Sequence, residues 1–268
     1  MTAGIMVVEN QVVPAQLARE LDMMEARVSQ SNSSADKIAV FDLDNTLLIG
    51  DIGEAVFATM LLREYSLGFT WQEYRNLLAH DKPGAYKRVV SAMKGMSPLT
   101  VEEVTLSTLH SREKEIILDG EKISIPHAHP VIREFVRLLQ WRGYRTLIVS
   151  ASNQISVRIV ARELFGIPED DAFGIAQVVT DEVLTGMLIA PMPVWNGKVD
   201  LLRSLLGSTM PVITAGDSPL DWPMMRMCDY RGFSIWVGND ETSLSKFRTQ
   251  FSRPHPILSV PQTSILPL

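Results

Sequence analysis

Short apolar runs alternate with longer segments of helical periodicity along this chain. The runs are dominated by aliphatic and aromatic residues and are bounded by turn-forming residues, which is typical of buried strands. They are Ile38–Phe41, Leu147–Val149, Val212–Ala215 and Phe233–Val237. Strands that alternate with helices predict a parallel sheet covered by helices on both faces, which is an α/β core of three layers.

Two other regions of the chain have a helical pattern. Pro14–Gln30 begins with proline, and apolar residues recur at helical spacing between Leu17 and Val28, so a helix is predicted there. Met1–Val13 before it is weakly structured by pattern, and Ser31–Asp36 after it has the composition of a linker. Residues 51–127 are predicted to form several helices separated by Gly, Pro, Ser and Thr, the last of them over Thr100–Ile117, and strand-like runs are largely missing from them. This block, flanked by strand signals, predicts an inserted helical subdomain.

These elements suggest a domain organisation. Residues 173–189 predict a short strand and a hairpin, and the last residues are rich in proline and apolar side chains, which predicts an irregular tail packed along the surface. The predicted boundaries are 1–36 for an N-terminal helix and linker, 37–50 and 128–250 for a core domain, 51–127 for the helical insertion, and 251–268 for the tail.

Composition narrows the possible functions. The chain has 268 residues, and 46% of them are hydrophobic, so it can bury a sizeable core. A net charge of −6 argues against a general nucleic-acid binder, and no apolar run is long enough to cross a bilayer. The single cysteine, Cys228, excludes an intrachain disulfide and is expected to be a buried apolar residue. No signal peptide is recognised, so a soluble cytoplasmic protein is expected.

Polar residues follow three of the apolar runs, where the carboxyl ends of parallel strands bind ligands. They are Asp42 and Asp44 after the first run, Ser150 after the second, and Asp217 and Asp221 after the third. Lys198 precedes a predicted helix. Carboxylates that cluster without a cation are costly, and Mg²⁺ is bound by one or two carboxylates together with water and phosphate. Lysine and serine can bind phosphate oxygens, and a carboxylate can attack phosphorus, so the set is suited to phosphoryl transfer.

Four motifs carry a family resemblance. "FDLDNTL", "VSAS", "GK" and "GDSPLD" occur in this order and resemble the motifs of the haloacid dehalogenase (HAD) superfamily of aspartate-nucleophile phosphohydrolases. The helical block between the first and second motifs resembles the cap of the phosphoserine-phosphatase-like branch. The resemblance implies a Rossmann-like HAD core with a parallel sheet and an inserted helical cap that closes over a small substrate and excludes water.

The resemblance also implies roles for single residues. Asp42 is the nucleophile and forms an aspartyl-phosphate, and Asp44 acts as general acid on the leaving oxygen and then as general base on water. Ser150 and Lys198 bind the phosphoryl group, and Lys198 offsets the charge of Asp42.

The implied cofactor is Mg²⁺. Its expected ligands are the side chain of Asp42, the backbone carbonyl of Asp44 and the side chain of Asp217, and Asp221 supports the metal site or Lys198.

Substrate recognition is assigned to the cap. Asp51 lies near the position where phosphoserine phosphatases carry a glutamate that meets the substrate amine, and Arg88 resembles their carboxylate-binding arginine. "GDIGEAVF" is more similar to phosphocholine and phosphoethanolamine phosphatases, in which case Asp51 or Glu54 faces a cationic head group. The aromatic residues that either contact this cation or form the cap core are Trp71, Tyr74 and Tyr86.

The sequence therefore predicts an enzyme, a phosphoric monoester hydrolase that depends on Mg²⁺ and acts on a small phosphorylated metabolite. Phosphoserine, phosphocholine, phosphoethanolamine and a pathway-specific intermediate are the expected substrates. One alternative is a phosphomutase or phosphotransferase that uses the same aspartyl-phosphate, and another is a catalytically idle binding protein. The sequence does not define the oligomeric state.

Overall fold

The secondary structure was defined from a computed structural model, which describes residues 5–8, 11–30, 37–252 and 254–262. Its helices are α1 (Ala15–Gln30), α2 (Ile52–Leu62), α3 (Trp71–His80), α4 (Lys82–Ala92), α5 (Pro98–Leu109), α6 (Pro130–Trp141), α7 (Gln154–Val160), α8 (Asn196–Leu206), α9 (Trp222–Met225) and α10 (Glu241–Arg248). Its strands are β1 (Ile5–Val8), β2 (Gln11–Pro14), β3 (Ile38–Phe41), β4 (Leu48–Ile49), β5 (Glu115–Leu118), β6 (Glu121–Ser124), β7 (His127–Ala128), β8 (Arg145–Asn153), β9 (Ala172–Ile175), β10 (Gln177–Thr180), β11 (Val183–Leu188), β12 (Ile213–Gly216), β13 (Phe233–Val237) and β14 (Ile257–Val260).

A six-stranded sheet contains every apolar run predicted as a strand. Its order is β14-β13-β12-β3-β8-β9, and the β14/β13, β13/β12, β12/β3 and β3/β8 pairs are parallel. All four residues of β3 are buried because neighbouring strands and helices cover a central parallel strand on all sides. The predicted α/β class with a mostly parallel sheet is confirmed.

Two compact units divide the chain. Unit 1 comprises Met1–Ile49, Ala128–Ile148 and Leu202–Leu268, and unit 2 comprises Gly50–His127 and Val149–Leu201. Unit 2 includes the block predicted as a cap together with later residues. The domain boundaries given above stay a prediction.

Local signals define the helices of the inserted block. The Asp51 carboxylate accepts a hydrogen bond from the backbone N–H of Glu54 and caps α2. Thr70 and Glu73 form a capping box at the start of α3. Ser97 caps α5, whose first residue is Pro98. The predicted hairpin within 173–189 is confirmed as β10 and β11.

Three local predictions are wrong. Residues before Pro14, expected to be weakly structured, contain the antiparallel pair β1/β2, and Pro14 ends β2 instead of opening α1. The helix expected to run to Ile117 ends at Leu109, and the antiparallel pair β5/β6 follows it. Within that pair only Ile116 and Ile123, which lie opposite each other, are buried. The charged residues of the two strands point towards solvent, and a solvent-exposed helix face would contain the same residue types.

The tail is not irregular throughout. Residues 257–260 form β14, which extends the main sheet by pairing with β13. Leu258 and Val260 are buried, so one face of this strand joins the core of unit 1. The predicted linker 31–36 and the end of the tail, residues 263–268, lie outside the described residues. Within the described part of the chain, no helix combines the length and the apolar character needed to cross a membrane.

Candidate active site

The ends of β3 and β12 bring the first and fourth motifs together in unit 1. Phe41 is opposite Ala215 in the parallel register, so the residues that follow these positions leave the sheet at the same edge. The backbone N–H of Asp42 donates to the carbonyl of Ala215 at 3.0 Å. This register places Asp42 beside the loop that carries Asp217.

Three carboxylates form a cluster at this edge. One oxygen from each of Asp42, Asp217 and Asp221 lies within 4.8 Å of the other two. Asp42 and Asp221 are buried, whereas Asp217 is half-buried. Like charges this close raise the cost of ionisation, so the cluster favours a cation.

Asp221 is held by the loop that it closes. Its Oδ2 accepts hydrogen bonds from the backbone N–H groups of Asp217 and Ser218, at 3.3 and 3.1 Å, and from the Ser218 hydroxyl at 2.9 Å. Gly216 allows this approach, because a Cβ there would lie 2.5 Å from Cβ of Asp221. Asp221 therefore fixes the backbone that presents Asp217.

The donor set fits Mg²⁺. All three groups offer carboxylate oxygens, which are the hard ligands that this ion takes in proteins. The mutual approach of the three carboxylates is compatible with their holding one such ion. Asp42 and Asp217 are the candidate direct ligands, and Asp221, with one oxygen already engaged, is the candidate supporting residue.

The turn after β3 carries the second acid of the first motif. Asp44 is half-buried and has an extended backbone, whereas Asn45 has φ of 59°, in the left-handed region that non-glycine residues rarely adopt. The hydroxyl of Thr46 is buried and has no hydrogen-bond partner among the described residues. The backbone N–H of His129, the N-cap residue of α6, donates to the carbonyl of Leu47 at 2.8 Å and closes the turn.

Ser150 and Lys198 belong to unit 2. Ser150 lies within β8, is fully buried, and its Oγ accepts a hydrogen bond from the backbone N–H of Ser152 at 3.0 Å. Lys198 lies in the first turn of α8 and is 2% exposed, which is rare for a lysine and indicates a compensated charge. Neither side chain is a solvated surface group.

A small, partly open pocket lies within unit 2. Its walls come from α2, α3, α4, α7 and the end of β8. The lining residues are Asp51, Gly53, Glu54, Val56, Tyr74, Tyr86, Val89, Val90, Met93, Ala151, Ser152, Asn153 and Ser156. In the part of the chain that the structure describes, the charged lining groups are the two carboxylates of Asp51 and Glu54, with no Lys or Arg.

Glu54 is oriented by Tyr74. The Tyr74 hydroxyl donates to Glu54 Oε1 at 2.8 Å, and burial together with the charges of Asp51 and Glu54 raises the pKa of Tyr74 far above its ordinary value. The phenol therefore stays protonated and remains a donor. Arg75 lies 4.0 Å from the same oxygen but is closer to Glu121, at 3.1 Å. The carboxyl group of Glu54 thus lines the pocket while one of its oxygens is held by Tyr74.

The aromatic candidates Trp71 and Tyr74 belong to a buried cluster, whereas Arg88 lies at the surface. Trp71 and Tyr74 pack with Phe57 at ring distances of 6.1 and 5.6 Å and belong to the core of unit 2. Arg88 is exposed, donates to the carbonyl of Gly68, and stacks over the Phe69 ring. It is not among the residues that line the pocket.

Several contacts had no signal in the sequence analysis. Tyr74 was considered as a cation contact, and its hydrogen bond to Glu54 joins separate helices. The sequence assigned no role to His129 or Gln262, yet both contact the first motif. The fully buried His129 donates its backbone N–H to the carbonyl of Leu47, and Gln262 donates to the side chain of Asn45.

The sequence and fold define the family. The haloacid dehalogenase-like hydrolase model matches residues 39–226, more than half of the chain, and the protein belongs to this family. Its similarity to solved structures extends over most of the chain. A protein of unknown function from Anaerococcus prevotii is 16% identical, with a TM-score of 0.66 over 96% of this chain and 94% of that one.

Phosphoserine phosphatases have the same fold. One, determined as an analogue of the phospho-aspartyl intermediate, is 18% identical with a TM-score of 0.54, over 84% of this chain and 94% of that one. A second, a complex with bound substrate, is 17% identical with a TM-score of 0.54 over the same shares. At these identities the similarity concerns the fold. No curated protein matches the sequence.

Proposed function

We propose that this hydrolase is a phosphatase that cleaves a small phosphomonoester through an aspartyl-phosphate on Asp42, with Mg²⁺ as cofactor. The observation that carries the proposal is the carboxylate cluster of Asp42, Asp217 and Asp221 at the ends of β3 and β12. Family membership supports hydrolysis, and the oxygen-only donor set supports a hard cation. When bound, Mg²⁺ supplies positive charge that neutralises the phosphate oxygens.

The chain's own groups account for both half-reactions. An oxygen of Asp42 forms a bond to phosphorus while the bond to the leaving oxygen breaks, and Asp44 gives that oxygen a proton. Asp44 then takes a proton from water as the water oxygen attacks phosphorus, which releases phosphate and restores Asp42. Ser150 and Lys198 bind the oxygens of the transferred group.

Substituting the nucleophile tests this reaction. We expect the wild type to release phosphate from 4-nitrophenyl phosphate with Mg²⁺, and Asp42→Asn to lower kcat by about a thousandfold or more. Asp44→Asn should slow both half-reactions, and Asp170→Asn, at an exposed position, is the control. Persisting activity in Asp42→Asn would exclude Asp42 as the nucleophile. Transfer of labelled phosphate to a second hydroxyl, with little free phosphate, would instead identify a phosphotransferase.

We further propose that the substrate carries a cationic head group that binds Glu54. Among the described residues, those that line the unit 2 pocket include two carboxylates and no basic side chain, and Tyr86 offers an aromatic face. Each of Asp51 and Glu54 accepts one hydrogen bond within unit 2, but the bond to Asp51 caps α2, so Glu54 is the carboxylate whose charge can be removed without disturbing a helix end. Phosphoethanolamine and phosphocholine therefore suit the pocket better than sugar phosphates.

Charge removal at Glu54 tests the head group. Glu54→Gln preserves shape, so KM for phosphoethanolamine should rise about tenfold while KM for 4-nitrophenyl phosphate changes little. Glu103→Gln, on the exposed face of α5, is the matched control. Equal changes for the two substrates would contradict a cation contact, and a preference for sugar phosphates would exclude the amino-alcohol class.

A further inference from the structure

The segment after β14 contacts the turn that carries the first motif. Pro261 and Gln262 directly follow β14, which lies three positions from β3 in the sheet, or about 14 Å at ordinary strand spacing. Nevertheless, Gln262 Nε2 donates a hydrogen bond to Oδ1 of Asn45 at 2.9 Å. Because β14 is parallel to its neighbour, the segment leaves the sheet at the edge where the carboxylates lie.

A second contact anchors the same segment. His129 is fully buried, and its Nε2 lies 3.0 Å from the carbonyl of Pro261, which can only accept. The backbone N–H of His129 donates to Leu47, at the other end of the motif turn. His129 therefore connects Pro261 to one end of the turn, while Gln262 contacts its middle.

Asn45 is a residue whose conformation needs support. Its φ of 59° and ψ of 6° lie in the left-handed region, which asparagine adopts more readily than most non-glycine residues but which is only one of the backbone conformations open to it. It directly follows Asp44, so a rotation at Asn45 would move the backbone that carries the proposed general acid. The hydrogen bond from Gln262 opposes that rotation.

We propose that Gln262 is a positioning residue, which holds Asn45 and thereby keeps Asp44 aimed at the leaving oxygen. The inference rests on the proposed phosphatase function. It gives a role to the end of the described chain, which joins the sheet as β14 and then reaches the first motif. Gln262 acts through Asn45 and is not itself expected to contact substrate.

The leaving-group dependence of kcat/KM tests this role. Protonation of the leaving oxygen matters most when that oxygen is strongly basic, as in phenyl phosphate, and least in 4-nitrophenyl phosphate. We expect Gln262→Ala to lower kcat/KM about three- to tenfold for phenyl phosphate and less than twofold for 4-nitrophenyl phosphate. The slope across a series of substituted phenyl phosphates should therefore steepen.

A matched control separates positioning from a general loss of folded protein. Gln250→Ala removes an exposed glutamine from the same unit and should leave the slope unchanged. A loss of activity that is equal for all leaving groups, or no loss at all, would overturn the role of Gln262 while leaving the phosphatase proposal intact. An inactive wild type across the whole series would instead overturn the phosphatase proposal, and with it the role of Gln262.

Discussion

Replacing Asp221 with alanine removes the acceptor that closes the loop after β12. The three donors that lose this acceptor are the backbone N–H groups of Asp217 and Ser218 and the hydroxyl of Ser218. The hydroxyl can turn to water, but each backbone N–H loses about 1 kcal/mol. The two together lose about 2 kcal/mol, and relief of repulsion from the neighbouring carboxylates returns part of this loss, so the net destabilisation should be about 1–2 kcal/mol.

Asparagine at the same position separates the acceptor from the charge. Asp221→Asn keeps an oxygen that can accept the same bonds and also relieves the repulsion, so it should destabilise by about 0.5 kcal/mol or less. The free energy of unfolding of both variants is measured by urea unfolding, followed by tryptophan fluorescence, with EDTA present so that metal binding does not contribute. Asp170→Ala, at an exposed position, controls for loss of an acidic side chain. Equal destabilisation by alanine and asparagine, or none by either, would refute the loop-closing role of Asp221.

Other positions give further predictions. Burial raises the pKa of the Cys228 thiol to about 12, so a thiol reagent at pH 8 should label it only in denaturant; labelling of the folded protein would contradict its burial. Burial, and next the charge of Arg27, lower the pKa of His255 from 6.5 to about 4. Stability should therefore be full above about pH 6.5 and fall by about 1–2 kcal/mol towards pH 4, after allowance for partial exposure, and His255→Gln should flatten this decline in urea unfolding. An unchanged pH profile in that variant would assign the decline to other groups. In Gly53→Ala a Cβ would lie 2.7 Å from the Ser152 hydroxyl, so KM for phosphoethanolamine should rise about tenfold, and an unchanged KM would place the substrate elsewhere.

The sequence predicts elements well where the signal is local. Ile38–Phe41 has the same bounds in the prediction and in the structure, because an apolar run between polar residues identifies a buried strand. The grouping of Asp42 with Asp217 follows from the rule that ligands bind at the carboxyl ends of parallel strands. Neither inference needs knowledge of distant contacts.

Long-range contacts were the main source of error. β14 is a mostly apolar four-residue run between Pro256 and Pro261, and it was overlooked because the prolines made the whole tail look irregular, whereas its pairing with β13 places it in the sheet. The bond between Gln262 and Asn45 joins residues 217 positions apart, and no local pattern identifies such a pair. The β5/β6 hairpin is a local error instead: Asp119-Gly120 is a typical hairpin turn, but the lysine and glutamate residues beside it favoured the interpretation as a helix.

The placement of β3 has a consequence for synthesis of the protein. This strand is the earliest of the main sheet to leave the ribosome, yet Val40 pairs with Leu147 and Thr214, both more than a hundred residues later. Its apolar side chains and its backbone N–H and C=O groups therefore stay without their native partners until β8 and β12 have been synthesised. Mutations that slow formation of β8 or β12 should lower the soluble yield in cells even when the finished protein is stable, because the exposed strand is a site for aggregation.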